Sequence, residues 1–280
     1  MSASRLPQAS DPTSDEWAEW FTSFDRILLI ANSEDVVRAA LPEGDDRVLH
    51  VFFNRVFKVL DEPFDGPSLL VARCSGAGPN LVYRGEVDAV LQLLSPAGRY
   101  GVLQLRASES ERFGPDEAFG GTQVSRLDLA GWFDGIYPRG DIPTSGFALV
   151  TWLLDRAPSA RLELHGFSAR RSSRWKLFDD HDWTFEQIAL ASLEAAGRIV
   201  RVGKGDADWP LGNYLERQGI GTLDAALAAR VLSERLRGTN LMLDRVWSVL
   251  KPMRWIDDRI RALKPQTRKQ RIADDENSHP

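Results

Sequence analysis

Arg26-Ile27-Leu28-Leu29-Ile30-Ala31, followed at once by Asn32-Ser33, is the stretch on which the fold turns. A short apolar run bounded by polar residues reads as a buried strand. Asn32-Ser33 then caps a short helix, with Glu34 and Asp35 in its acidic first turn, and Leu41-Pro42-Glu43-Gly44 stops it. Outward from there the pattern repeats. Residues 47–53 (RVLHVFF) and 68–72 form two further strands, 86–94 has helical spacing, and 100–105 returns as a strand. Residues 145–156 make a mostly apolar helix, 160–165 alternates like a strand, 182–197 reads as a helix capped by Asp182, and 199–202 closes the series. Strands alternating with helices predict an α/β fold with a mostly parallel sheet and flanking helices. In such sheets ligands gather beyond the carboxyl ends of the strands, where Asn32, Asn54 and the loop holding His181 fall.

The chain has 280 residues, enough for one large core and a smaller appendage. Residues 1–22 are Pro/Ser-rich at first and are expected to be flexible; 23–207 form the α/β body, 208–264 a helical C-terminal region and 265–280 a disordered tail. Pro252 predicts a break within the C-terminal helices. A net charge of -5 and the lack of any recognition-helix or RNA-binding signature argue against nucleic acid as a partner. Cys74 is the only cysteine, so no internal disulfide can form. With no secretory pattern at the N-terminus and no apolar run near the ~20 residues that span a bilayer, the expected compartment is the cytoplasm.

Two segments carry chemistry. Ile142-Pro143-Thr144-Ser145-Gly146-Phe147 places two hydroxyls and a glycine at the mouth of an apolar helix. The same residues serve as a plain N-cap or as a phosphate seat, because both use the free N–H groups of the first turn. His181-Asp182-Trp183-Thr184-Phe185-Glu186 sets an imidazole before another helix, where it can exchange a proton near neutral pH. Glu186 lies roughly 140° around an ideal helix from 181 and need not face it. His50 and His165 sit within strands and are expected to be packed or hydrogen-bonded, and His279 is in the tail. No Cys/His ligand spacing occurs; Asp206-Ala207-Asp208 is an Asp-x-Asp pattern and reads better as a turn.

These residues, taken in order, resemble the sialyltransferase family (glycosyltransferase family 29). Pro143-Thr144-Ser145-Gly146, with Leu162-Glu163-Leu164-His165-Gly166-Phe167, looks like its small motif, and His181-x4-Glu186 like its very-small motif. The run into Asn32-Ser33 and Val51-Phe52-Phe53-Asn54-Arg55 is similar to its large motif. The resemblance covers about residues 26–200.

It implies a nucleotide-binding, GT-A-like variant fold and inverting transfer of a 2-keto sugar acid (sialic acid or Kdo) from its CMP ester to a glycan or glycolipid hydroxyl. By position, Asn32, Ser33 and Asn54 would bind the donor's nucleotide, and Thr144, Ser145 and Gly146 its phosphate and carboxylate. His181 would be the general base and Glu186 a support for the helix terminus. No metal or other cofactor is expected, since fixed N–H and hydroxyl donors suffice for a monophosphate leaving group. The family's disulfide and membrane anchor are absent, which suits a bacterial cytoplasmic member. Its further His-aromatic-aromatic motif is missing too; Arg174-Trp175-Lys176-Leu177-Phe178 stands there, with Lys176 or Arg174 as replacements. That gap leaves a second reading open, a non-catalytic nucleotide- or glycan-binding protein on the same fold. Residues 241–271, with Trp247, Trp255 and many Arg/Lys, suit either peripheral contact with an anionic membrane or packing against the body.

Overall fold

The structure is a computed structural model and describes residues 6–36, 41–42, 44–168 and 180–202, with Leu232, Leu236, Thr239, Leu243, Val246 and Trp247. Seven strands form one sheet: β1 (Arg26–Ile30), β2 (Val48–Phe53), β3 (Ser68–Arg73), β4 (Arg99–Arg106), β5 (Val124–Asp128), β6 (Arg161–His165) and β7 (Val200–Val202). Their order is β5-β4-β3-β2-β1-β6-β7 and every neighbouring pair is parallel. β2 and β3 are buried at every position, as expected of parallel strands covered on both faces. The α/β expectation therefore holds, and the predicted strands all form.

Successive residues along the strands feed two different cores. Ile27, Leu29, Leu49, Val51, Leu69 and Val71 pack with α1 (Asp15–Thr22) and α4 (Ser145–Arg156). Leu28, Ile30, Phe52, Leu70 and Ala72 pack on the other side with α2 (Asn80–Tyr83), α3 (Val87–Leu91) and Phe64. α5 (Trp183–Ala195) adds Leu190 to the first core.

Two elements differ from expectation. Residues 6–22 are part of the core rather than a flexible lead-in: Trp17 and Phe21 are fully buried against Trp152, and Trp17 Nε1 donates to Ala9 O at 2.8 Å. Burying one such side chain contributes about 1.5–3 kcal/mol, enough to hold an eight-residue helix that its own propensity would not. β5 was not anticipated, because its sequence VSRLD breaks the apolar run with charges. Residues 32–36 are turn rather than helix; Ser33 Oγ accepts from Asp35 N at 3.2 Å, and 37–40 lie outside the described residues.

The chain divides into two compact units, Met1–Ala229 and Arg230–Pro280. Most of the expected helical region 208–264, Asp206 and Asp208, the stretch Arg174 to Phe178, most of 241–271 and the whole tail 265–280 lie outside the described residues. No helix among the described residues is long and apolar enough to cross a membrane.

Candidate functional site

The strand order fixes where a site must lie. From β1 the chain moves outward through β2 to β5, then returns by α4 to place β6 on the other side of β1. Loops leaving β1 and β6 diverge at this reversal and open a crevice at the carboxyl edge. A cleft of about 640 Å³ occupies it, lined by Asn32, Ser33, Asn54, Thr144, Ser145, Gly146, His181 and Glu186 among others. The structure thus brings every predicted site residue to one cleft. A second hollow of about 460 Å³ near Arg106 and Asp128 sits at the far edge of the sheet, where those two charges already pair at 2.9 Å.

Residues 142–144 are held from all sides. Ile142 N donates to Asp180 O at 2.8 Å, and His181 Nδ1 meets Ile142 O at 2.6 Å. Arg73 Nη1 donates to Pro143 O at 3.1 Å. Glu186 accepts from Thr144 N at 2.7 Å, Thr144 Oγ1 at 2.6 Å and Tyr137 OH at 2.9 Å. The clamp aims the N-terminus of α4 into the cleft. Thr144 Oγ1 caps it by accepting from Phe147 N at 3.2 Å. The N–H groups of Ser145 and Gly146 have no partner among the described residues, nor has Ser145 Oγ. Of the two sequence readings, the N-cap belongs to Thr144, while Ser145 and Gly146 present the open donors that the phosphate-seat reading requires.

His181 owes its chemistry to one contact. A carbonyl oxygen can only accept, so Nδ1 carries the proton toward Ile142 O in the neutral ring and Nε2 keeps a lone pair. Nε2 has no partner among the described residues. Burial pushes the His181 pKa down, with the Arg73 charge acting in the same direction and the Ile142 hydrogen bond against it. This direction favours the neutral ring.

Glu186 is engaged with Thr144 and Tyr137. Burial pushes its carboxyl up to about 7, against the three hydrogen bonds that favour the anion. The same burial, with the Glu186 charge next, raises the Tyr137 phenol.

Asn32 and Asn54 stand at the ends of β1 and β2. Asn32 Nδ2 donates to Phe53 O at 2.7 Å, while its Oδ1 is buried without a hydrogen-bond partner. Asn54 Oδ1 accepts from Arg73 N at 2.8 Å, and its φ of 47° is a left-handed conformation that Asn tolerates. Ser33 spends its hydroxyl on its own turn. Gly146 has a packing reason as well: a Cβ there would come within 2.5 Å of the Phe167 ring. Gly166, with φ of 75°, allows the sharp exit from β6, where a Cβ would meet Val36 Cγ2 at 2.6 Å.

Sequence reasoning missed Arg73, Glu111 and Tyr137. Arg73 ends the buried run SLLVAR, a position that could have marked it. Glu111 sits among several polar residues in a loop and Tyr137 within another loop, and neither carries a local signal. His50 and His165 are buried as expected; His50 Nδ1 meets Pro67 O at 3.1 Å. Cys74 is buried in the cleft wall, and desolvation pushes its thiol up to about 12, far from a reactive thiolate. Among the described residues no group of three or more His, Cys, Asp or Glu could hold a metal ion.

No protein-family model, curated protein or solved structure matches the chain.

Proposed function

We propose that this protein is an inverting glycosyltransferase that moves a 2-keto sugar acid, sialic acid or Kdo, from its CMP ester to a glycan or glycolipid hydroxyl. The observation that carries the reading is a neutral imidazole with an unpartnered Nε2 in the same cleft as the open Ser145 and Gly146 N–H groups. A base and a seat for a departing anion are the two groups that such a transfer needs. The ordered motif resemblance and the cleft at the point where the order of the parallel sheet reverses support the same assignment.

In the reaction the acceptor hydroxyl gives its proton to His181 Nε2. The acceptor oxygen forms a bond to the anomeric carbon as the bond from that carbon to the phosphate oxygen breaks. The electron pair leaves on CMP, and attack opposite the leaving group inverts the centre. The phosphate goes from one negative charge as a diester to two as a monoester. Fixed N–H donors at the start of α4 favour that developing charge. Asn32 and Asn54, on the cleft wall at the ends of β1 and β2, are the residues that the resemblance assigns to the nucleotide. Glu186 is a positioning residue that holds Thr144. Exposed Leu243, Val246 and Trp247 support contact of the 241–271 segment with the surface bearing a lipid-linked acceptor.

Purified protein with CMP-sialic acid and with CMP-Kdo, scanned for thermal stabilisation and then for CMP release with mixed glycan acceptors, tests the reading. One donor is expected to stabilise the fold by about 2.7 kcal/mol at a hundredfold excess over its Kd. Binding without any transfer or hydrolysis would favour the non-catalytic alternative, and no binding of either donor would remove the transferase reading.

A further inference from the structure

A helix N-terminus supplies only partial charges, and a phosphate deep in a cleft calls for a full one. Arg73 ends the central strand β3 in the cleft wall and is only 7% exposed. Two of its three nitrogens are committed, Nε to Glu111 Oε1 and Nη1 to Pro143 O at 3.1 Å. Nη2 has no hydrogen-bond partner among the described residues and is not among the sealed-off atoms. Pro143 is two residues before Ser145, so the guanidinium lies against the segment that presents the open N–H groups. Glu111 is itself fixed, its Oε2 accepting from Ala107 N at 2.7 Å. The guanidinium is thereby locked in one orientation with one edge unused.

We infer that Arg73 Nη2 is an anion ligand of the cleft, completing with the Ser145 and Gly146 N–H groups a three-donor seat for the phosphate or carboxylate of a nucleotide-linked sugar acid. The inference rests on the transferase reading for the ligand's identity but not for the presence of an anion. It also assigns the cleft a full cation from among the described residues, independent of Arg174 and Lys176. Arg55, the next guanidinium on the cleft wall, is spent in a bidentate pair with Glu86 at 2.7 and 2.8 Å.

Removing Arg73 alone would strand the Glu111 charge, so the test uses the Arg73→Met/Glu111→Gln double variant with Glu111→Gln as its control. Each folded variant is titrated calorimetrically with cytidine, CMP and the CMP-sugar that stabilises the wild type. Glu111→Gln is expected to retain the preference for CMP over cytidine. The double variant should lose roughly 10- to 100-fold of that preference, the usual worth of a charge-assisted hydrogen bond, with cytidine affinity little changed. A loss confined to the CMP-sugar relative to CMP would make the carboxylate the partner and also uphold the seat. Equal weakening of all three ligands, or no change, overturns it. If no cytidine ligand binds the wild type, the transferase reading falls, and inorganic phosphate becomes the probe. Phosphate stabilisation lost in the double variant but kept in Glu111→Gln would then uphold the seat by itself, and unchanged stabilisation, or none in the wild type, would end it.

Discussion

The N-termini of α4 and α5 meet the same cleft and are built in opposite ways. Each has a side-chain cap three residues back, Thr144 to Phe147 N at 3.2 Å and Asp182 to Phe185 N at 2.9 Å. α5 then adds Glu186 in its first turn, while α4 has no acid there. Two acidic side chains thus stand at the start of α5, whereas α4 meets the cleft with a neutral cap and open N–H groups. Glu186 in turn reaches across to fasten the α4 cap. The difference separates a helix end whose first turn carries acids from one whose first N–H groups stay open to the cleft.

The largest effect should come from His181, the proposed base just ahead of α5. His181→Ala is expected to lower kcat by about 10²- to 10⁴-fold, the range for removing a general base, while donor Kd moves little. Because burial holds the His181 pKa below its usual value, the acid limb of the wild-type rate profile should fall below pH 6.5, the unperturbed value. Stopped assays of CMP release across pH 4.5–8 read both. A variant that keeps its turnover would show that the proton goes elsewhere.

Next in size is a change that makes α4 resemble α5. Ser145→Asp puts an acid in the first turn of α4, where the dipole favours it by about 0.3–1 kcal/mol, so the melting temperature should hold or rise. A carboxylate within about 4 Å of a bound phosphate costs 1 kcal/mol even at the dielectric of water and several in a cleft, so CMP affinity should fall at least tenfold. Calorimetric titration with CMP measures it. Undiminished CMP binding would place the anion away from α4.

Which of these features could be read from the chain follows from how local each one is. The buried strands are continuous apolar runs and α4 an apolar run behind Thr-Ser-Gly, so both are written in consecutive residues. β5 and α1 are not, since β5 forms by pairing with β4 (Val102 with Val124) and α1 is held through Trp17 against Trp152, partners outside the local run. The site divides likewise. His181 and Ser145 sit in short motifs, but the contact that sets the imidazole tautomer spans 39 residues and the bond from Tyr137 to Glu186 spans 49. Arg73 and Glu111 find each other across 38 residues, and neither signals the other along the chain.

The smallest effect tests whether Glu186 belongs functionally to α4 rather than to its own helix. Glu186→Gln keeps an acceptor for Thr144 N and Tyr137 OH but replaces the oxygen that accepts from Thr144 Oγ1 with an NH2 group, a loss of about 1 kcal/mol. The variant also removes a titration. Burial raises the Glu186 pKa from its ordinary 4.5 to about 7, so the folded state holds its proton more tightly. A raised folded pKa contributes stability that is complete below the unfolded value and is lost as pH rises through the folded one. The wild type's advantage over Glu186→Gln should therefore be largest near pH 4.5 and shrink toward pH 7, by at most about 1.4 kcal/mol per pH unit. Urea melts of both proteins at half-unit steps give the difference. A gap that stays constant with pH would mean that Glu186 is ionised throughout and that the α4 cap is held by a carboxylate. In that case a fixed negative charge would stand behind Thr144, and the open N–H groups of Ser145 and Gly146 would attract an anion less strongly than the neutral cap suggests.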